Sequence, residues 1–291
     1  MGLFDIKSVA IVGASNKEGK VGNIILKNFI KRFNSKIYPV NPNYENLYGL
    51  KCYKSVLDIK EPVDCVIVAI PAEGVPEIIK ESGEKGIKLG IIVSAGFSEV
   101  GRKDLEEEIL KYSKEYGIRI LGPNGMGLYD PYIGFDTFFV EEVRIKRPKK
   151  GKIALLSQSG AISLAVMEWL SSKDIGVSKI ISYGNKIDLD EIEILKELRN
   201  DENTKAIFIY MEGLKEGKGR EFLEIAKELN KPIIVLKSGK TKRGSVAVSS
   251  HTASLAGDYE VYKNLFKQYG IIEAKNMNDF MIYLKTISYY L

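Results

Sequence analysis

Two doubly wound α/β domains, each built on a parallel sheet, are the fold class this sequence predicts, and three observations predict it. Short β-branched runs end in Gly, Pro, Asn or Ser and are each followed by a charged amphipathic stretch, the alternation that places helices on both faces of a parallel sheet. The alternation lapses at residues 130–150, around Pro131 and Pro148, and then restarts. At 291 residues the chain has room for about two domains of roughly 150 residues each.

In the first half, strands are predicted at residues 8–12, 36–39, 65–69, 89–93 and 119–121, with helices at 21–33, 75–84 and 102–116. Their apolar runs are continuous rather than alternating, as strands covered on both faces require, and right-handed crossovers then give a doubly wound sheet. The second half repeats the pattern with strands at 152–156, 179–182, 206–210 and 232–236 and helices at 162–172, 191–200, 220–228 and 258–269. The expected organisation is a first domain over residues 1–129, a linker over 130–150 and a second domain over 151–291.

Composition narrows the function. Hydrophobic residues make up 45% and charged residues 28%, an ordinary globular balance. No uncharged apolar run approaches the roughly 18 residues a membrane span needs, so no membrane partner is predicted. The net charge of +5 is interspersed apart from Lys146, Arg147, Lys149 and Lys150, which is not the dense, one-sided footprint of a nucleic-acid binder. Cys52 and Cys65 cannot form a CxxC pair or a zinc set, and with no signal peptide they point to a reducing, cytoplasmic setting. With a single histidine, His251, no histidine-rich metal site is predicted.

Directly after the first strand, Gly13, Ala14, Ser15, Asn16, Gly19 and Gly22 lie in a loop that opens a helix. Such a junction presents backbone N–H groups and a positive dipole end to an anion, so a phosphate-bearing ligand suits it. A P-loop would need Gly at position 14 and Ser or Thr at 21, where the chain has Ala14 and Val21. A nicotinamide site wants a carboxylate at the end of the second strand, where Asn41 stands instead. An adenine nucleotide carrying a ribose phosphate, such as coenzyme A, fits better. The strand ends at Pro71, at Ser94, Ala95 and Gly96, and at Asn124 would face the same carboxyl edge of the sheet.

The second half carries a sharper constellation. A long loop of small residues follows the strand at 232–236 and holds His251 among Ser249, Ser250, Thr252, Ala253 and Ser254, bracketed by Gly244 and Gly257. Long loops of this kind in compact domains are usually functional or mobile. A histidine nucleophile needs a carboxylate on its other ring nitrogen, and Glu212, at the end of the strand at 206–210, is the candidate. Ser157, Ser159 and Gly160, between a strand and a helix, repeat the anion-cradle pattern with two hydroxyls and a helix start.

Together these segments resemble the α-subunit of the NDP-forming acyl-CoA synthetases, the superfamily that includes succinyl-CoA synthetase. The matching residues are Val12 to Asn16 with Gly22, Ser94 to Phe97, Gly122 to Gly125, Ser157 to Gly160, Gly184 to Asp188, Tyr210 to Gly213 and Ser250 to Gly257, nearly the whole length of the chain. The resemblance implies a Rossmann-like, CoA-binding domain followed by a flavodoxin-like ligase domain. It places the family's transient phosphohistidine on His251, the partner carboxylate on Glu212, and the phosphate-holding helix start on Ser157, Ser159 and Gly160. It further implies acyl-CoA, phosphate and a small carboxylic acid as substrates, with ADP or ATP and Mg²⁺ on a nucleotide-grasp, β-type partner subunit in a hetero-oligomer. Two departures stand out. The acetyl-CoA type usually has Gly where Ala253 stands, and its α-subunit continues into a third domain, whereas the succinyl-CoA synthetase α-subunit stops near the position of Leu291. Motif wording favours the former and length the latter, and a non-catalytic CoA-binding sensor or scaffold is the rival from another class.

Overall fold

A computed structural model describes residues 2–240 and 259–291, which divide into two compact units. Unit 1 comprises Met1–Arg144 and Tyr183–Leu189, and unit 2 comprises Ile145–Ser182 and Asp190–Leu291.

Unit 1 contains strands β1 (Ser8–Val12), β2 (Lys36–Val40), β3 (Asn46–Leu47), β4 (Leu50–Lys51), β5 (Cys65–Val68), β6 (Leu89–Ile92), β7 (Arg119–Leu121), β8 (Gly127–Asp130) and β9 (Phe135–Asp136). Five of them pair in parallel in the order β2-β1-β5-β6-β7. Every residue of β1, β5 and β6 is buried, which is why their sequences read as unbroken apolar runs. Helix α1 (Val21–Arg32) turns Ile25, Leu26 and Phe29 inward, while α2 (Val75–Glu84) and α3 (Lys103–Tyr116) contribute Val75, Ile79 and Ile109 to the core with Val66, Val68 and Ile120. Each such side chain stabilises the fold by roughly 1.5–3 kcal/mol on burial.

Two features of unit 1 depart from the sequence expectation. Part of the stretch expected to be a linker folds onto the unit, because β8 and β9 form an antiparallel hairpin and the Phe135 ring packs edge-on against Phe29 at 4.7 Å and Phe33 at 5.8 Å. The segment Tyr183–Leu189 returns to unit 1 from the middle of the second half. Its Asp188 carboxylate accepts hydrogen bonds from Arg119 Nε at 2.9 Å and from the Ile120 N–H at 2.8 Å.

Unit 2 holds β10 (Lys150–Ser157), β11 (Val177–Ser182), β12 (Ala206–Met211), β13 (Ile233–Lys237) and β14 (Ile272–Glu273), parallel and ordered β14-β13-β12-β10-β11. Its helices are α4 (Gly160–Ser172), α5 (Glu191–Arg199), α6 (Gly219–Glu228), α7 (Tyr259–Gln268) and α8 (Met277–Ser288). Neither the short β14 nor α8 was expected, although Asn276 caps α8 by accepting from the Asp279 N–H at 2.9 Å. The Phe280 ring of α8 meets Phe208 of β12 edge-on at 5.3 Å.

The predicted class, two doubly wound parallel-sheet units, holds. Counting only the five parallel strands of each unit in chain order, both sheets read 2-1-3-4-5, which reverses beside the first strand. Among the described residues no helix is long and apolar enough to cross a membrane.

Candidate functional site

In open α/β sheets the loops after the two strands flanking the reversal diverge and leave a crevice at the carboxyl edge. In unit 1 those strands are β1 and β5. Gly13, the residue after β1, has φ +88°, and a Cβ there would stand 2.3 Å from the Ala69 carbonyl oxygen. A Cβ on Gly22 would stand 1.9 Å from the Gly13 carbonyl oxygen. Both positions therefore admit only glycine, and the first turn of α1 rests directly on the loop. Two amides hold the loop in shape: Asn41 Nδ2 donates to the Ala14 carbonyl at 2.8 Å and Asn23 Nδ2 to the Ser15 carbonyl at 2.9 Å.

The result is a cleft of about 580 Å³ that brings together seven of the residues the sequence singled out: Gly13, Ser15, Gly22, Asn41, Pro71, Ser94 and Ala95. Lys17, Lys20, Tyr44 and Phe139 also line it, and none of these was expected. No carboxylate lines the cleft, and no acidic residue occupies the first turn of α1, so its charge and helix dipole favour an anion.

Four expected residues do not line it. Ala14 is fully buried, and Asn16 is exposed. Gly96 and Asn124 belong instead to the network that shapes the loop after β6. The Gly96 N–H donates to Glu99 Oε1 at 2.6 Å, the Asn124 N–H donates to the Ser94 carbonyl at 2.8 Å, and Asn124 Nδ2 donates to Asn185 Oδ1 at 3.2 Å. Asn185 Nδ2 in turn donates to Glu99 Oε2 at 2.7 Å and Glu106 Oε1 at 2.8 Å. Burial pushes the Glu99 carboxyl up, but hydrogen bonds from Asn185 and from the Gly96 and Phe97 N–H groups outweigh it and hold the group below the usual carboxylate range.

Unit 2 reverses between β10 and β12. Ser157 ends β10 with its hydroxyl turned inward, donating to the Ser159 carbonyl at 2.8 Å and accepting from the Ser159 N–H at 3.2 Å. The Ser159 hydroxyl caps α4 by accepting from the Ile162 N–H at 3.3 Å. The two hydroxyls thus build the turn and the cap, and Gly160 opens the helix. Across the reversal stands Glu212, 8% exposed, one residue past β12. Burial pushes the nearby Tyr210 hydroxyl above its usual range, and the Glu212 charge adds to that shift. His251 and its neighbours Ser249 to Ser254 lie outside the described residues. Among the described residues no group of three or more His, Cys, Asp or Glu side chains could hold a metal ion.

Fold and crevices define a two-unit α/β protein with an anion-friendly ligand cleft in unit 1 and, in unit 2, a buried Glu212 whose N–H donates to Gln158 of the turn before α4. Residues 7–131 match the CoA binding domain family, and residues 150–287 match the succinyl-CoA ligase-like flavodoxin domain family. The chain is 46% identical over 275 residues to an acetate-CoA ligase [ADP-forming] of Methanocaldococcus jannaschii, a match covering 94% of this chain and 38% of that protein. It is 43% identical to the subunit alpha of acetate-CoA ligase [ADP-forming] I of Pyrococcus furiosus, covering 98% of this chain and 63% of the relative. Among solved structures, the acetyl-coenzyme A synthetase 1 of Ca. Korarchaeum cryptofilum, in complex with phosphate and ADP, superposes with a TM-score of 0.93 at 39% identity, covering 98% of this chain and 61% of the other. The chain belongs to the family of the NDP-forming acyl-CoA synthetases, and resembles their α-subunit. It spans 38% to 63% of the length of these relatives.

Proposed function

We propose that this chain supplies the CoA-binding and phosphohistidine domains of an ADP-forming acyl-CoA ligase. The observation that carries the reading is the pairing of its two crevices: a carboxylate-free, lysine-lined cleft in unit 1 and a buried Glu212 opposite the Ser157 to Gly160 turn in unit 2. In unit 1, the Gly13 to Gly22 loop and the start of α1 hold the phosphates of coenzyme A, with Ser94 and Ala95 at the side of the cleft. Asn41 gives its Nδ2 to the Ala14 carbonyl, so it shapes the loop and offers no carboxylate for the ribose hydroxyls of NAD.

The reaction runs in three reversible steps. A phosphate oxygen attacks the thioester carbonyl of acyl-CoA and the CoA thiolate leaves, giving an acyl phosphate. A ring nitrogen of His251 attacks the phosphorus and the carboxylic acid leaves as its carboxylate. An oxygen of the terminal ADP phosphate then takes the phosphoryl group, breaking the N–P bond and giving ATP. Glu212 holds the other ring nitrogen and balances the imidazolium, while the α4 start at Ser159 and Gly160 faces the phosphoryl oxygens. ADP and Mg²⁺ belong to a nucleotide-grasp partner subunit in a hetero-oligomer, a reading supported by the alpha-subunit names of the Pyrococcus furiosus relatives.

The test is covalent labelling. Incubating the chain and its partner with acyl-CoA and phosphate should leave an acid-labile, base-stable phosphate on His251. His251→Ala should abolish label and turnover and leave coenzyme A affinity, measured by calorimetry, within about twofold. Label on a serine of the same loop, with His251→Ala still active, would rule the mechanism out, and coenzyme A binding with no label at all would favour a sensor or scaffold.

A further inference from the structure

The β12 ladder ends at Met211, which pairs with Lys237 of β13. One residue further on, both backbone groups of Glu212 are held by side chains. Its N–H donates to Gln158 Oε1, which also accepts from the Gly213 N–H at 3.0 Å, and its carbonyl accepts from Lys237 Nζ at 2.7 Å. Gln158 follows β10 and Lys237 ends β13, so the two holding groups come from the strands on either side of β12. Both are buried, at 6% and 2% exposure. Lys237 also donates to the Ser238 carbonyl at 2.6 Å and lies 5.0 Å from the centre of the Tyr262 ring.

A buried amide and a buried ammonium are costly unless their hydrogen bonds are made, and an apolar side chain would close either space more cheaply. What these two do that an apolar pair cannot is fix the peptide of Glu212 from both sides. Gln158 is also the residue between Ser157 and Ser159. Its single oxygen therefore couples the turn that opens α4 to the turn that carries Glu212, across the reversal of the sheet.

We infer that Gln158 is a positioning residue, tying the Glu212 turn to the Ser157 to Gly160 turn so that carboxylate and helix start act on one phosphoryl group, with Lys237 holding the Glu212 carbonyl. The inference rests on the role proposed for Glu212 above. Phosphoryl transfer depends mainly on positioning, and a displacement of about 1 Å can cost about 100-fold in rate.

The experiment compares Gln158→Met, which removes the acceptor at similar volume, with Gln158→Glu, which keeps it, in the chain assembled with its partner subunit. Backbone hydrogen exchange at Glu212 and Gly213 reads the tie directly, and steady-state kinetics reads its consequence. In Gln158→Met these two amides should exchange about tenfold faster or more, and kcat should fall about 10- to 100-fold with KM for coenzyme A within about twofold. Gln158→Glu should restore slow exchange and recover most of kcat. Unchanged kcat in Gln158→Met, or an equal loss in both variants, would overturn the inference. A wild-type enzyme that never carries phosphate on His251 would overturn the reading of Glu212 first, and is told apart because the exchange measurement needs no turnover.

Discussion

Units 1 and 2 solve the same topological problem with opposite chemistry. Both sheets run 2-1-3-4-5 and open a crevice between their first and third strands. In unit 1 the crevice is left open by backbone: Gly13 and Gly22 bring loop, strand end and helix start into contact without side chains, and the lining carries two lysines and no carboxylate. In unit 2 the crevice is crossed by a side chain, Gln158, and the residues around it include a buried Glu212 and a buried Lys237. One arrangement suits a ligand that enters and leaves, the other a group held still for chemistry. The shared fold accounts for neither; the residues at the reversal do.

Unit 1 depends most heavily on Gly22. A side chain there would meet the Gly13 carbonyl oxygen, a backbone atom that cannot swing aside. Gly22→Val should destabilise unit 1 by about 2–3 kcal/mol and weaken coenzyme A about 100-fold or more. Calorimetric titration checks the affinity, and phosphorylation of His251 from ATP and the partner subunit should persist, since the proposed phosphoryl transfer rests on unit 2. Loss of both together would mean that the two crevices do not work independently.

Glu212→Gln comes next. The amide still accepts a hydrogen bond from an imidazole but cannot balance the imidazolium that the proposed phosphoryl transfer forms. Charge-assisted hydrogen bonds are about twice as strong as neutral ones, so a loss of about 2–3 kcal/mol, some 30- to 150-fold in the rate of label formation, is expected. Rapid-quench measurement of the labelled chain gives that rate. A variant as fast as wild type would leave Glu212 as a buried structural carboxylate and remove the contrast between the units.

Much of this contrast was legible in the sequence because it is local. β1 and α2 fall at their expected bounds, and β5 and β6 within a residue of theirs, since an unbroken apolar run and a proline near the first helical position of α2 are each read within a few residues. Gly13, Gly22 and Asn41 could be selected for the same reason: loop, helix start and strand end are each contiguous. The residues that were missed act over distance. Asn23 looks like any polar residue of a helix until its amide is seen to reach the Ser15 carbonyl. The return of Tyr183–Leu189 to unit 1 depends on Arg119 and Ile120, more than 60 positions earlier. Lys237 did leave a signal, a lysine closing the four apolar residues of β13, which reads as a strand end in solvent until its burial is known. α8 also left one, the Asn276 cap ahead of Phe280 and Leu284.

The smallest effect asks whether charge also distinguishes unit 2 away from its crevice. On α6, Glu221 takes hydrogen bonds from Lys196 of α5 at 2.8 Å and from Lys218, and these two contacts, Lys196 first, pull its carboxyl from an ordinary 4.5 down to about 2. Because the folded value is depressed, the stabilisation is fully present above about pH 4.5 and is lost as the pH falls through about 2. The side chain keeps 35% of its surface exposed, and solvent screening limits the contribution to under about 1 kcal/mol. Glu221→Gln should therefore lower the melting temperature of unit 2 by no more than a few degrees at pH 7, and the gap between variant and wild type should close as the pH approaches 2. Scanning calorimetry with and without coenzyme A identifies the transition, because ligand bound in unit 1 raises only the melting of that unit if the two unfold separately. A gap that widens in acid would reverse the sign of the linkage and show that Glu221 is more easily protonated in the folded chain than in the unfolded one.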